Sequence, residues 1–206
     1  MARRENNKRQ ERNKFYIVTN GKETEYNYFT LLKSKKSIFD VKVEFTNSDP
    51  QGLVEHARGY VKEANQVWVV FDVDNSYVEG RLEEAIRLAR NFGVRYAFSN
   101  LAFEVWLINH FEQCSNQLNT ADHKRILDEY LNSKRRGLKY EKNDANVLKS
   151  YFIPNYRTAI ENAKIVYQKR KREHMDKYGE NSRLRIWEWN SCSTVFMLVE
   201  ALKLSE

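Results

Sequence analysis

The stretch Gln66-Val67-Trp68-Val69-Val70-Phe71 runs without a break into Asp72-Val73-Asp74-Asn75. Its consecutive apolar residues, mostly β-branched or aromatic, predict a strand buried on both faces, and such a strand needs other layers above and below it. The run stops at two carboxylates one residue apart. In an open α/β sheet, ligands bind outside the carboxyl ends of the strands, so Asp72 and Asp74 fall where a site is expected. With Val73 between them, both point to one side for as long as strand geometry lasts. Two hard oxygen donors on a rigid strand end suit Mg²⁺. The same residues also suit the start of a turn, and this pattern alone does not choose between the two.

The flanking sequence alternates between strand and helix. Residues 15–19 predict a first strand, stopped by Asn20-Gly21. A helix follows, with Thr24 as its cap, Glu23 and Glu25 at its positive end, and Tyr28, Leu31 and Leu32 at helical spacing. Residues 41–45 alternate as a second strand, and 51–64 read as a helix. After the central strand over 67–71, a helix is expected over 79–91 with Gly93 as its stop, then a strand over 94–98. This alternation predicts a parallel sheet with helices on its faces. Right-handed crossovers then bring Asn20-Gly21, Asp72 with Asp74, and Ser99-Asn100 to one edge of that sheet.

The segment from Ser99 to Phe111 reads as a helix opened by Ser99 or Asn100, with Glu104, Leu107, Ile108 and Phe111 on one face. A carboxylate on that apolar stripe needs a partner, and a metal ion or a basic side chain satisfies it equally well. His110 reads as a hydrogen-bonded structural histidine. Past residue 115 strand signals fade. Helices are expected over about 122–132, 145–152, 155–172 and 192–204, with Trp187 and Trp189 in a short extended piece.

Charge narrows the function classes. The net charge is +7, and the basic residues fall in groups. One occupies residues 1–14, which lack apolar content and are expected to form a flexible arm. A second is Lys134, Arg135, Arg136, Lys139 and Lys142, and a third includes Lys169, Arg170 and Arg172. These two groups are candidate nucleic-acid contacts, because lysines and arginines on phosphates release counterions. A solvated basic surface has the same composition. No apolar run approaches the roughly 18 to 20 residues that cross a bilayer. Residues 1–14 have no apolar core of a secretory signal, and Cys114 and Cys192 give neither a zinc nor a disulfide framework. The expectation is a cytoplasmic protein.

The motifs in order are Val18-Thr19-Asn20-Gly21-Lys22-Glu23-Thr24-Glu25 with Tyr28-Phe29, then Phe71-Asp72-Val73-Asp74, then Ser99 to Phe111. Weaker pieces are Tyr140-Glu141-Lys142, residues 159–164 and Asn190 to Val195. With these the chain resembles the RloB family, a Toprim-related group of bacterial proteins. The resemblance implies an α/β fold with a Toprim-like small parallel sheet flanked by helices. It divides the chain into a basic arm over 1–14, a core over 15–115 and a mainly helical extension over 116–206 packed on the core. It also implies Mg²⁺ or Mn²⁺ held by Asp72, Asp74 and Glu104, a nucleic acid partner, an ATPase partner protein and a setting in anti-phage defence.

One position departs from the wider Toprim pattern, which places a glutamate directly before the glycine after the first strand. Here that residue is Asn20, which accepts a hydrogen bond but carries no exchangeable acid proton. Glu23 or Glu25 would have to stand in, and helix-dipole complementation is the competing role for both. The catalytic candidates are therefore Glu104, Asp72, Asp74 and Glu25. Two functions follow: a Mg²⁺-dependent nuclease, or a degenerate module that binds nucleic acid or a partner without cutting. A phosphatase using Asp72 as nucleophile is disfavoured, because Asn75-Ser76-Tyr77 follows the acidic pair where such enzymes want Gly-Thr.

Overall fold

The structure is a computed structural model that describes residues 13–35, 37–73 and 79–204. The expected arm therefore lies outside the described residues, apart from Asn13 and Lys14, which open the first strand rather than belonging to an arm. Asp74 and the Asn75-Ser76-Tyr77 segment also lie outside them.

The first half alternates as the apolar spacing requires: β1 (Asn13–Thr19), α1 (Thr24–Leu32), β2 (Phe39–Phe45), α2 (Pro50–Arg58), β3 (Gln66–Asp72), α3 (Glu79–Phe92) and β4 (Arg95–Asn100). The sheet order is β2-β1-β3-β4-β5, with the first four strands parallel. Both faces are covered. Phe15, Ile17, Trp68, Val70 and Ala97 pack against the helices of one layer, and Tyr16, Val18, Val67, Val69 and Phe71 pack on the other side with α2 and α3. β3 is thus buried on both sides, as its unbroken apolar run predicts.

The second half is helical: α4 (Glu104–Ile108), α5 (Thr120–Lys134), a short α6 (Ala145–Val147) leading into further turns to Asn155, the long α7 (Tyr156–Tyr178), and α8 (Val195–Ala201). Leu127 and Leu131 of α5, Ala159 and Ala163 of α7, and Leu198 of α8 share one apolar cluster with Phe15 and Ile17 of β1.

Three local expectations are corrected. Ser99 and Asn100 do not open a helix: they end β4, where Asp72 pairs with Ser99 in register, and α4 begins at Glu104. Residues 192–204 are not all helix, because Cys192–Ser193 forms β5 antiparallel to Ser99 and Asn100 before α8 starts. Two residues are too short for any periodic signal. Trp187 lies in a single 3-10 turn over Ile186–Glu188 rather than in an extended piece. Asn100 holds that turn, since its amide donates to the carbonyls of Ile186 at 2.8 Å and Trp187 at 3.0 Å.

His110 is structural, as its spacing suggested. It is buried, its Nδ1 lies 3.0 Å from the Trp106 carbonyl, and the Tyr28 hydroxyl lies 3.0 Å from its Nε2. Burial lowers its pKa to about 3, so the ring is neutral, donating to the carbonyl and accepting from Tyr28. Tyr28→Phe leaves that buried acceptor unpaired and is expected to cost roughly 1–3 kcal/mol in urea unfolding. An unchanged midpoint would remove this role for the pair.

Candidate active site at the sheet edge

The parallel arrangement puts the ends of β1, β3 and β4 on one edge. β1 ends at Thr19 and turns through Asn20-Gly21, and the Thr19 hydroxyl donates to the Gly21 carbonyl at 3.1 Å. α1 starts three residues later. Glu23 is exposed at its cap position, whereas Glu25 is buried. The Glu25 carboxylate folds back over Gly21 so closely that a Cβ on that residue would overlap it. Space rather than backbone angle favours glycine here, since any Cβ would displace the Glu25 carboxylate. Glu25 thus delivers its carboxylate to the Asn20-Gly21 turn, four residues along the chain from Gly21.

β3 ends at Asp72, which alternation places on the same sheet face as Trp68 and Val70. The strand is pinned beside β4 by Val73 N–H donating to the Ser99 carbonyl at 2.8 Å. Across the edge, Glu104 occupies the first turn of α4, with 7% of its surface exposed.

The remaining parts come from the loop between α5 and α6. The Tyr140 hydroxyl donates to Glu104 Oε1 at 3.1 Å and lies 3.2 Å from the Thr24 hydroxyl. Thr24 donates in turn to the Lys142 carbonyl at 3.1 Å. It therefore does not cap α1, as expected from sequence: its hydroxyl ties the loop to the helix. The loop is also strapped to α5, where Tyr140 N–H donates to Asp128 Oδ1 at 2.7 Å and Lys124 Nζ donates to the Tyr140 carbonyl at 2.9 Å. These bonds deliver Lys142 Nζ to 3.4 Å from Glu104 Oε1.

The electrostatics share one centre. Glu104, then Glu25, then Asp72 act on the Lys142 ammonium and raise its pKa, against the opposing effect of partial burial. Burial, reinforced by the Glu104 charge and opposed by Lys142, pushes the Glu25 carboxyl up to about 7. A carboxyl poised there exchanges a proton at neutral pH. His123, on the first turn of α5, is buried with no partner among the described residues for either ring nitrogen; burial lowers its pKa, with the charge of Glu104 acting in the opposite direction. Tyr140 entered the sequence reading only within the weaker Tyr140-Glu141-Lys142 piece and His123 not at all, since each reaches the site through the packing of α5 and the loop that follows it.

The donor set of Glu104, Glu25 and Asp72 is all hard oxygen, its charges act on one ammonium, that of Lys142, and it suits Mg²⁺ or Mn²⁺ in chemistry. Among the described residues no three His, Cys, Asp or Glu side chains already stand in a metal-binding arrangement.

The expected nucleic-acid contacts separate into two places. Arg135, Arg136, Lys139 and Lys142 ride on exposed positions of the chain running from α5 to the carboxylates, after Lys134, whose ammonium lies 5.0 Å from the Tyr130 ring. Lys169 and Arg172 are exposed on α7, apart from that loop. Arg170 differs from both: it is turned inward, donating to the carbonyls of Ser115 at 2.8 Å and Asn190 at 2.6 Å. Its guanidinium joins chain segments within the fold.

A family model described as RloB-like protein matches residues 15–202. The chain belongs to the RloB-like protein family. The match covers every part of the site just described, from the Asn20-Gly21 turn to Lys142, and continues through α8. No curated protein and no solved structure matches this RloB-like chain. Among its described residues, no helix is long and apolar enough to cross a membrane, and both cysteines are free and buried.

Proposed function

We propose that this RloB-like protein is a metal-dependent nuclease of Toprim type, cutting phosphodiester bonds in RNA or DNA as part of anti-phage defence and alongside an ATPase partner. The observation that carries the reading is that Glu104 pairs with the Lys142 ammonium at 3.4 Å while the charges of Glu25 and Asp72, from two other elements, act on the same ammonium at the carboxyl edge of a parallel sheet. An edge built this way supplies what phosphodiester cleavage requires. When bound, Mg²⁺ or Mn²⁺ polarises a phosphate oxygen and lowers the pKa of an attacking water.

The chain supplies the rest. Asp72 and Glu104 are the described residues that would hold the ion, with Asp74 completing the acidic pair read from the sequence. Tyr140 fixes the Glu104 carboxylate by donating to Oε1. Glu25 holds a proton near neutral pH and would pass it at the scissile phosphate, the role Asn20 cannot fill. Lys142, on a long flexible stem, would swing from Glu104 to a phosphate oxygen.

The same lysine favours a second reading. Its ammonium already neutralises Glu104, which fits a binding module that has lost cutting. The discriminating experiment is cleavage of total tRNA and plasmid DNA with Mg²⁺ or Mn²⁺, with and without the ATPase. Wild type should cut, and Glu104→Gln and Asp72→Ala should each lose at least 100-fold. Binding without cutting in wild type under every condition would sink the nuclease reading in favour of the module.

A further inference from the structure

A second surface lies at the opposite end of the strands from the carboxylates. Trp68 and Arg95 lie roughly 13–17 Å along the strands from Asp72 and Asn100, and from there the surface runs along β4 as far as Phe98. Three depressions join there. One lies between α7 and α8 over Ile165, Phe196 and Met197. Tyr167 and Met197 carry it into a cavity of about 330 Å³. Arg90, Tyr96, Leu184 and Ile186 then continue the cavity into a more polar trough against α3.

The cavity lies against the part of β4 that no outer strand covers, because β5 pairs only with Ser99 and Asn100. Its walls carry the half-buried rings of Tyr96 and Tyr167, backed by the buried Trp68, Phe98 and Trp189. The banks are basic. Arg90, Lys169 and Arg172 are exposed and, among the described residues, have no carboxylate within ion-pair distance. The Arg95 guanidinium lies 5.6 Å over the Trp68 ring. Other cations along the groove are already matched, Arg183 by Glu83 at 3.0 Å and Lys164 by Glu200.

An aromatic floor between unneutralised cations is the surface a single strand of nucleic acid recognises, because bases stack on the rings while phosphates meet the basic banks. A duplex keeps its bases paired and cannot fill a cavity of this size. We propose that this groove binds single-stranded nucleic acid, with one unpaired base in the cavity and the flanking phosphates on Arg90 to one side and on Lys169 and Arg172 to the other. The groove is separate from the carboxylate edge, so its binding does not require cleavage. It presents a strand to the protein whether or not the edge cuts.

The test is fluorescence anisotropy on the full chain, using labelled twelve-nucleotide single-stranded RNA and DNA, the duplex of the same sequence, and free mononucleotides as competitors. Either single strand should bind at least tenfold more tightly than the duplex. Arg90→Glu with Lys169→Glu should weaken that binding at least tenfold and lower the slope of log affinity against log salt by about 1 to 2, since each phosphate contact on a single strand adds about 0.7. If the double reversal unfolds by circular dichroism, Arg90→Ala and Arg172→Ala, both at exposed positions, give the same readout. Competition by a mononucleotide alone would assign the cavity to a free nucleotide's base and phosphate, and the strand would be only one source of them. Equal duplex affinity, unchanged binding in folded variants, or binding only of an acidic amphipathic peptide would each overturn the proposal. Glu104→Gln should leave this binding intact, so failure of the groove and failure of the nuclease are read separately.

Discussion

At pH 8, Glu25→Gln is expected to stabilise the protein by about 3 kcal/mol while removing the cleavage activity proposed for it. Burial, aided by the Glu104 charge, raises the Glu25 carboxyl from 4.5 to about 7. Below pH 4.5 the group is protonated whether the chain is folded or not. Between 4.5 and 7 the unfolded chain ionises it and the folded chain does not, so stability falls as pH rises through this window and levels off above it. The difference of about 2.5 units at 1.36 kcal/mol each gives the stated figure. Glutamine keeps the shape and never ionises, so the variant should melt roughly 6–12 °C above wild type at pH 8. The two should coincide near pH 4. A gain in stability paired with loss of function is what a side chain held against its own preference for chemistry should show. Equal melting temperatures at pH 8 would mean that Glu25 is not held in this way.

The second large effect concerns Gly21. Alanine there would overlap the Glu25 carboxylate, but the obstructing atoms are the free end of a flexible side chain. The carboxylate should therefore swing out into water, and at pH 4, where Glu25 is protonated in either position, the fold should lose less than about 1 kcal/mol, within the range that ordinary glycine replacements span. Function should respond far more. Gly21→Ala is expected to cut no better than Glu25→Gln, at least 100-fold below wild type. It should also lose the fall in stability between pH 4.5 and 7, because an exposed carboxyl titrates as it does in the unfolded chain. Adding Glu25→Gln to Gly21→Ala should change neither quantity further, as expected for two changes that act through one group. Full cleavage by Gly21→Ala would remove Glu25 from the chemistry.

The two substitutions show where local sequence stops being informative. The strand over residues 67–71 was legible because burial on both faces leaves an unbroken apolar run, and the alternating first half followed from the same spacing rules. The common edge of the Asn20-Gly21 turn, Asp72 and Asn100 followed from handed crossovers. Beyond residue 115, helix was legible and its boundaries were not: β5 is two residues long, below the length at which period-two spacing exists.

Glu104 was visible as a carboxylate on an apolar stripe, but its partner was not, since a metal ion and a lysine satisfy it equally from sequence. Packing brings Lys142 to it, delivered by Tyr140 and Thr24, whose hydroxyls meet across 116 residues of chain. The choice between Glu23 and Glu25 was likewise closed to sequence, because both suit a helix start. Only the fold of the Asn20-Gly21 turn buries one and exposes the other. The sequence by itself determined the layers, the strand order's common edge and the acidic residue that ends its central strand, because these depend on periodicities read within a few residues. The tertiary structure decided which carboxylate meets Lys142, which of Glu23 and Glu25 is buried, and which exposed lysines and arginines have no carboxylate partner among the described residues, because those depend on distances between segments that no local pattern encodes.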